Sequence, residues 1–160
     1  MSDVRESLTA ALQSLVGVAC SATLATSSIK FIFDFENCSK GRAYIWIDPP
    51  WRLTIQGTYI TGTDDRPIWD GKENREVNEP LWLAWCGLFD SLRATQLAAF
   101  SIAEGCPDLC LRFESGHEIQ TFGNRNSDYW WYFMNRVTGD VFEASANGIS
   151  HELGEPLLVT

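Results

Sequence analysis

Val4, Leu8, Ala11, Leu12 and Leu15 recur at helical spacing, which predicts an amphipathic helix over residues 3–15. Ser2 or Asp3 caps it, Glu6 stands three residues after Asp3, and Gly17 ends it. From there to about Gly62 the period falls to two, with Ile29, Phe31, Phe33 and Phe35 alternating with Lys30, Ile32, Asp34 and Glu36. A turn over 37–41 follows. Further strands are expected over 43–48 and 51–56, separated by Pro49-Pro50, and over 58–61 after Gly57. This is the pattern of a β-meander.

Residues 63–80 are the most polar internal stretch and read as a long exposed loop. Asn78-Glu79-Pro80 then supplies a cap, an acid and an early proline, predicting a short helix over 81–85 that Gly87 ends. Residues 88–103 have strand character, 104–107 a turn, and Leu109-Cys110-Leu111-Arg112-Phe113 a clean alternation. Ser115-Gly116 is a tight turn into a strand over 117–122. Tyr129-Trp130-Trp131-Tyr132-Phe133-Met134 is too aromatic for a solvated loop and reads as a strand, paired through Thr138-Gly139-Asp140 with 141–146. Asn147-Gly148 breaks the pattern, leaving a tail or edge segment.

The halves resemble one another in this order of elements. Ile55 and Ile119, and likewise Thr63-Asp64 and Ser127-Asp128, stand 64 positions apart. These spacings fit pseudo-repeats over 3–64 and 78–128 with a C-terminal hairpin over 129–146, set against the chance periodicity of a β protein. The expectation is one α+β domain over 1–160, mostly antiparallel sheet, with an N-terminal helix and one short central helix.

Composition narrows the function. The 160 residues carry 12 Lys+Arg against 21 Asp+Glu, a net charge of -9. Nucleic acid and anionic lipid both require clustered cations, so neither is an expected partner. The 9 Phe, 7 Trp and 4 Tyr supply the apolar surface that a disordered chain lacks. The charge is uneven, since residues 1–62 balance to zero and residues 137–160 contain no Lys or Arg. Such a field steers basic partners, although it also serves solubility alone.

The stretch Leu15-Val16-Gly17-Val18-Ala19-Cys20 has the look of a lipoprotein leader, but Asp3 and Glu6 outweigh Arg5, and Gln13 interrupts the apolar run. Five cysteines without a C-x-x-C pair suggest neither a zinc knuckle nor a disulfide framework. A cytoplasmic setting with reduced thiols is the expectation.

No catalytic or cofactor motif stands out. His117 and His151 are the only histidines; Ser115-Gly116-His117-Glu118 reads more simply as hairpin chemistry than as a nucleophile and base. His117-Glu118 and His151-Glu152 put neighbouring side chains on opposite strand faces, which does not suit a metal. No Gly-rich phosphate cradle occurs. Most tryptophans fall in predicted strands or helix and read as core. Trp69 is the exception, because it lies in the acidic loop, the composition of an interface anchor.

The runs Trp51-Arg52-Leu53 to Gly57, Gly62-Thr63-Asp64, Leu83 to Gly87, Asp108 to Gly116, Tyr129-Trp130-Trp131, Gly139 and Asn147-Gly148 resemble a loose class of small bacterial proteins, mostly uncharacterised, some of them read as immunity proteins of toxin systems. The resemblance implies a β-rich protein that is not an enzyme and that binds a protein partner. The leading expectation is accordingly an acidic binding module that neutralises a toxin, a basic nuclease for instance, through Asp64, Asp65, Trp69, Asp70, Glu73 and Glu76. Alternatives are a small enzyme or ligand-binding barrel with an aromatic-lined pocket using His117 or buried carboxylates, and a structural or oligomeric module.

Overall fold

Gly17 takes φ +80° and marks the change from helix to strand. The computed structural model describes residues 2–68, 72–126 and 128–157. Helix α1 is Ser2–Gln13. Five strands follow: β1 (Ala19–Ala25), β2 (Ser28–Phe33), β3 (Ala43–Ile47), β4 (Trp51–Ile55) and β5 (Thr58–Gly62). A 3₁₀ turn, Thr63–Asp65, precedes helix α2 (Arg75–Gly87), and a second one, Asp90–Leu92, precedes β6 (Thr95–Ile102). The remainder is β7 (Leu109–Phe113), β8 (His117–Thr121), β9 (Trp131–Asn135), β10 (Asp140–Ser145) and β11 (Gly148–Leu153).

Among the described residues these strands form one eleven-stranded sheet in the order β11-β10-β9-β3-β2-β1-β6-β7-β8-β4-β5, antiparallel at every pairing of strands. Two meanders, β1-β2-β3 and β6-β7-β8, meet at a short β1·β6 contact where Ala19 faces Gln96. Each is then extended by strands from the other half of the chain: β9 pairs with β3, and β4 pairs with β8. Alternation puts Ile29, Phe31, Phe33, Ile45, Trp131 and Phe133 on one face with Leu53, Leu111, Phe113 and Ile119, all buried. Phe31 stacks on Phe113 at 4.9 Å although two strands lie between β2 and β7. The sheet therefore curves until its inner faces meet, and Leu8, Leu12 and Leu15 enter the same core. Each buried phenylalanine contributes about 1.5–3 kcal/mol by leaving water.

Corresponding hydrogen bonds recur at both crossings. Trp51 opens β4 and its indole donates to the Ser27 carbonyl at 2.7 Å; Trp131 opens β9 and donates to the Pro107 carbonyl at 2.6 Å. The Asp48 amide donates to the Trp130 carbonyl at 3.0 Å, and the Phe122 amide to that of Pro50 at 2.9 Å. The Arg136 amide donates to the Arg42 carbonyl at 2.8 Å, and the Gln56 amide to that of Gly116 at 3.3 Å.

Several expectations need correction. The central helix begins at Arg75 behind Asn74, which adopts φ 51°, so the predicted cap at Asn78 lies inside it. Arg75 and Glu79 pair at 2.8 Å across the first turn, and Pro80 is carried as an interior residue that deprives the Glu76 carbonyl of its usual donor. Within 63–80, residues 63–65 are accordingly a turn and residues 75–80 helix. The strand expected over 88–103 starts only at Thr95, because Phe89 and Leu92 are buried by a helical turn that Arg93 and Asp90 brace at 2.9 Å. Asn147-Gly148 does not end the sheet: Gly148, at φ 103°, turns the chain into β11, with Ser145 opposite Gly148. Ile55 and Ile119, read as equivalents 64 positions apart, lie on paired neighbours β4 and β8. Ser127 lies outside the described residues.

Candidate protein-binding face

Thr63 fastens the turn after β5 to β4: its hydroxyl accepts from the Trp51 amide at 2.9 Å and donates to the Trp51 carbonyl at 3.2 Å. The Asp65 carboxylate accepts from the Gly62 amide at 3.1 Å and from the Tyr59 hydroxyl. That bond and the nearby negative charge push the Tyr59 phenol up from its ordinary value. Asp65 thus organises the turn, and both it and Asp64 are exposed.

Helix α2 docks by one tryptophan. Trp85 is its buried residue, donates from its indole to the Thr61 hydroxyl at 3.0 Å, and packs among Trp51, Trp82 and Phe89. Arg66 lies over the Trp82 ring at 5.6 Å, so the turn and the helix share a seam. Asn78 donates to the Glu73 carbonyl at 3.1 Å, closing the helix start. Glu76 is exposed in the first turn.

Of the residues expected at the site, Asp64 and Asp65 thus stand on the turn, and Glu73 and Glu76 at the beginning of α2. Trp69 and Asp70 lie outside the described residues. What the sequence reading missed is apolar. Val77, Leu81, Ala84 and Leu88 follow one another at spacings of four, three and four along the outer side of α2, all exposed, Val77 at 65% and Leu81 at 55%. Ile68, before the helix, is 94% exposed. The stripe was present in the spacing, but starting the helix at Pro80 cut it in half.

The alternative polar sites are arranged differently. His117 is buried at an inward position of β8, and its Nδ1 lies 2.9 Å from the Ser115 hydroxyl. Neither residue lines the clefts beside α1, beside Arg42 and Asn135, or around Gly105 and Pro107. A polar one, about 510 Å³, runs between Cys106, Asn124, Arg125, Trp130 and Asn147. A Cβ at Gly123 would come within 2.1 Å of the Trp130 ring, so only glycine fits that wall. Among the described residues no group of three His, Cys, Asp or Glu could hold a metal ion, and no helix is long and apolar enough to cross a membrane. All five cysteines are unpaired, and burial pushes the Cys20 thiol up to about 12 and the Cys110 thiol up to about 11. No protein-family model, no curated protein and no solved structure matches this chain.

Proposed function

We propose that the chain is a cytoplasmic binding module of immunity type whose partner is a basic protein, such as a nuclease toxin, seated on the outer side of α2. The observation that carries this reading is the apolar stripe Val77, Leu81, Ala84 and Leu88, left in water on a helix that buries only Trp85. An exposed stripe of this kind costs solubility unless something covers it part of the time. Asp64, Asp65, Glu73 and Glu76 precede most of it in the chain, so a partner presenting Lys or Arg beside an apolar centre complements it. The carboxylates stand in for the phosphates that a nuclease holds.

The test is binding to the product of the reading frame adjacent to this chain's own, measured by calorimetry. Replacing Val77 and Leu81 together by Lys is expected to weaken binding about 30-fold or more, as for central anchors. Glu76→Lys should reduce the association rate and its salt dependence. A complex with unchanged affinity in the Val77/Leu81 variant overturns this reading.

We also infer that the chain descends from a duplicated unit of helix, three-stranded meander and crossing hairpin, one copy ending near Gly62 and the other near Ser145. The support is the matched set of hydrogen bonds at the two crossings, with indole donors at Trp51 and Trp131 alike. This lengthens the second unit to include the hairpin that the sequence reading set apart.

A further inference from the structure

The outward faces of the two crossings differ in kind, and the difference is informative because their positions correspond. Beside β4, the outward residues are Cys110, Gln120 and Arg52 in one cross-strand row and Arg112, Glu118 and Thr54 in the next. Arg112 and Glu118 pair at 2.9 Å in water, the usual dress of an open sheet face. The same positions beside β9 hold Lys30, Trp46 and Tyr132, then Ile32, Tyr44 and Met134. Trp46 and Tyr132 stack at 6.1 Å, Tyr44 meets Tyr132 edge-on at 5.7 Å, and all of them keep part of their surface in water. Both helices send their buried side chains to the opposite, inner face.

Register extends these rows across six strands. One reads Thr23, Lys30, Trp46, Tyr132, Glu143, Ser150; the other reads Ser21, Ile32, Tyr44, Met134, Val141, Glu152. On one flank Lys30 of β2 approaches the Tyr44 ring at 4.3 Å, and Arg136, which follows β9, approaches the same ring at 5.0 Å. Burial, and then the Arg136 charge, hold the Lys30 ammonium below its ordinary value, while the nearby Asp48 carboxylate accepts from the Trp46 indole and the Ser28 hydroxyl, each at 2.7 Å. The carboxylates Glu143 and Glu152 stand on the other flank, and among the described residues neither forms an ion pair.

We propose that this face is a self-association surface: two copies pack face to face about a two-fold axis running along the strands between β3 and β9. That axis reverses each row onto itself. Lys30 then meets Glu143 of the partner subunit, Trp46 meets the partner's Tyr132, Ile32 meets the partner's Val141, and Thr23 meets the partner's Ser150. Every apolar position falls on an apolar one and the cation on an anion, which is what an isologous contact requires. Within one copy Lys30 and Glu143 are three strand spacings apart, roughly 14 Å, so they complete each other only between copies. Six strands of five to seven residues give a footprint of about 24 Å by 17–20 Å, so even flat contact buries at most on the order of 1,000 Å² in total, near the lower bound for a specific interface. The dimer is therefore reversible, and its formation does not depend on the partner reading of α2.

Sedimentation of the isolated chain over an about hundredfold concentration range tests this, with near-ultraviolet tryptophan dichroism reporting the fold of each variant. The unaltered chain is expected to pass from monomer to dimer. Lys30→Glu and Glu143→Lys should each remain monomeric, their combination should regain the dimer, and Gln120→Lys on the corresponding polar face should leave the equilibrium unmoved. An unaltered chain that stays monomeric throughout overturns the proposal, as does a double exchange that fails to restore association. Because no second protein enters the measurement, loss of this surface and loss of the α2 reading are separately visible.

Discussion

His117 shows what one buried side chain does to the stability of the whole. Burial holds its imidazole below the ordinary 6.5, so the folded chain resists a proton that the unfolded chain accepts. As pH falls through 6.5 the unfolded state binds more protons; stability is complete above that value, declines toward the folded value, and levels off below it. Urea midpoints between about pH 7.5 and about pH 5 should therefore fall in the native chain and run flatter in His117→Gln. Equal slopes in both would show that the histidine is not the titrating group. The inward placement of His117 was legible from alternation with Ile119, yet Ser115-Gly116-His117-Glu118 reads first as hairpin chemistry, and Ser115-Gly116 gives no sign of which face lies inward. Trp46 failed in the opposite way. Its neighbours Ile45 and Ile47 marked a core strand, and an aromatic at the intervening outward position carries no label of its own.

The tryptophans that open β4 and β9 hold the crossings in place. In Trp51→Phe the Ser27 carbonyl loses its donor, and in Trp131→Phe the Pro107 carbonyl does. Each replacement should cost about 1 kcal/mol, the net worth of a hydrogen bond to a partly buried carbonyl. The two costs, from urea denaturation at constant pH, should be similar; a negligible cost at either site would show that the indole bond there contributes nothing. Elements with strict alternation, such as Leu109 to Phe113, were legible to within a residue because burial on one face dictates every second position. Helix α2 was not, because Pro80 is the stronger local signal for a helix start, and the Arg75–Glu79 pair that moves the start upstream is visible only once the helix exists. The proposed binding face shared that fate: its acids could be read from composition, whereas its stripe could not be assembled until α2 had its full length.

At the scale of the molecule, neither half closes its own sheet. β4 and β5 complete the second meander, and β9 to β11 complete the first. Residues 1–72 and 73–160 expressed separately should consequently lack cooperative unfolding, whereas expressed together they should co-purify as a folded pair. A fragment that unfolds cooperatively on its own would contradict this. The exchange was illegible in the sequence because strand pairing over such separations leaves no local mark: β4 has the same alternation whether it joins β3 or β8. Its consequence lies in time as much as in space. On the ribosome the outer edge of β3, ending at Ile47, waits for β9, which begins at Trp131, 84 positions later, an interval of roughly 4–17 s at ordinary rates of synthesis. For that interval a nascent chain bearing Phe31, Ile45 and Trp51 has open edges and an uncovered apolar face. Its yield in the cell is thus set by what shelters the unfinished chain.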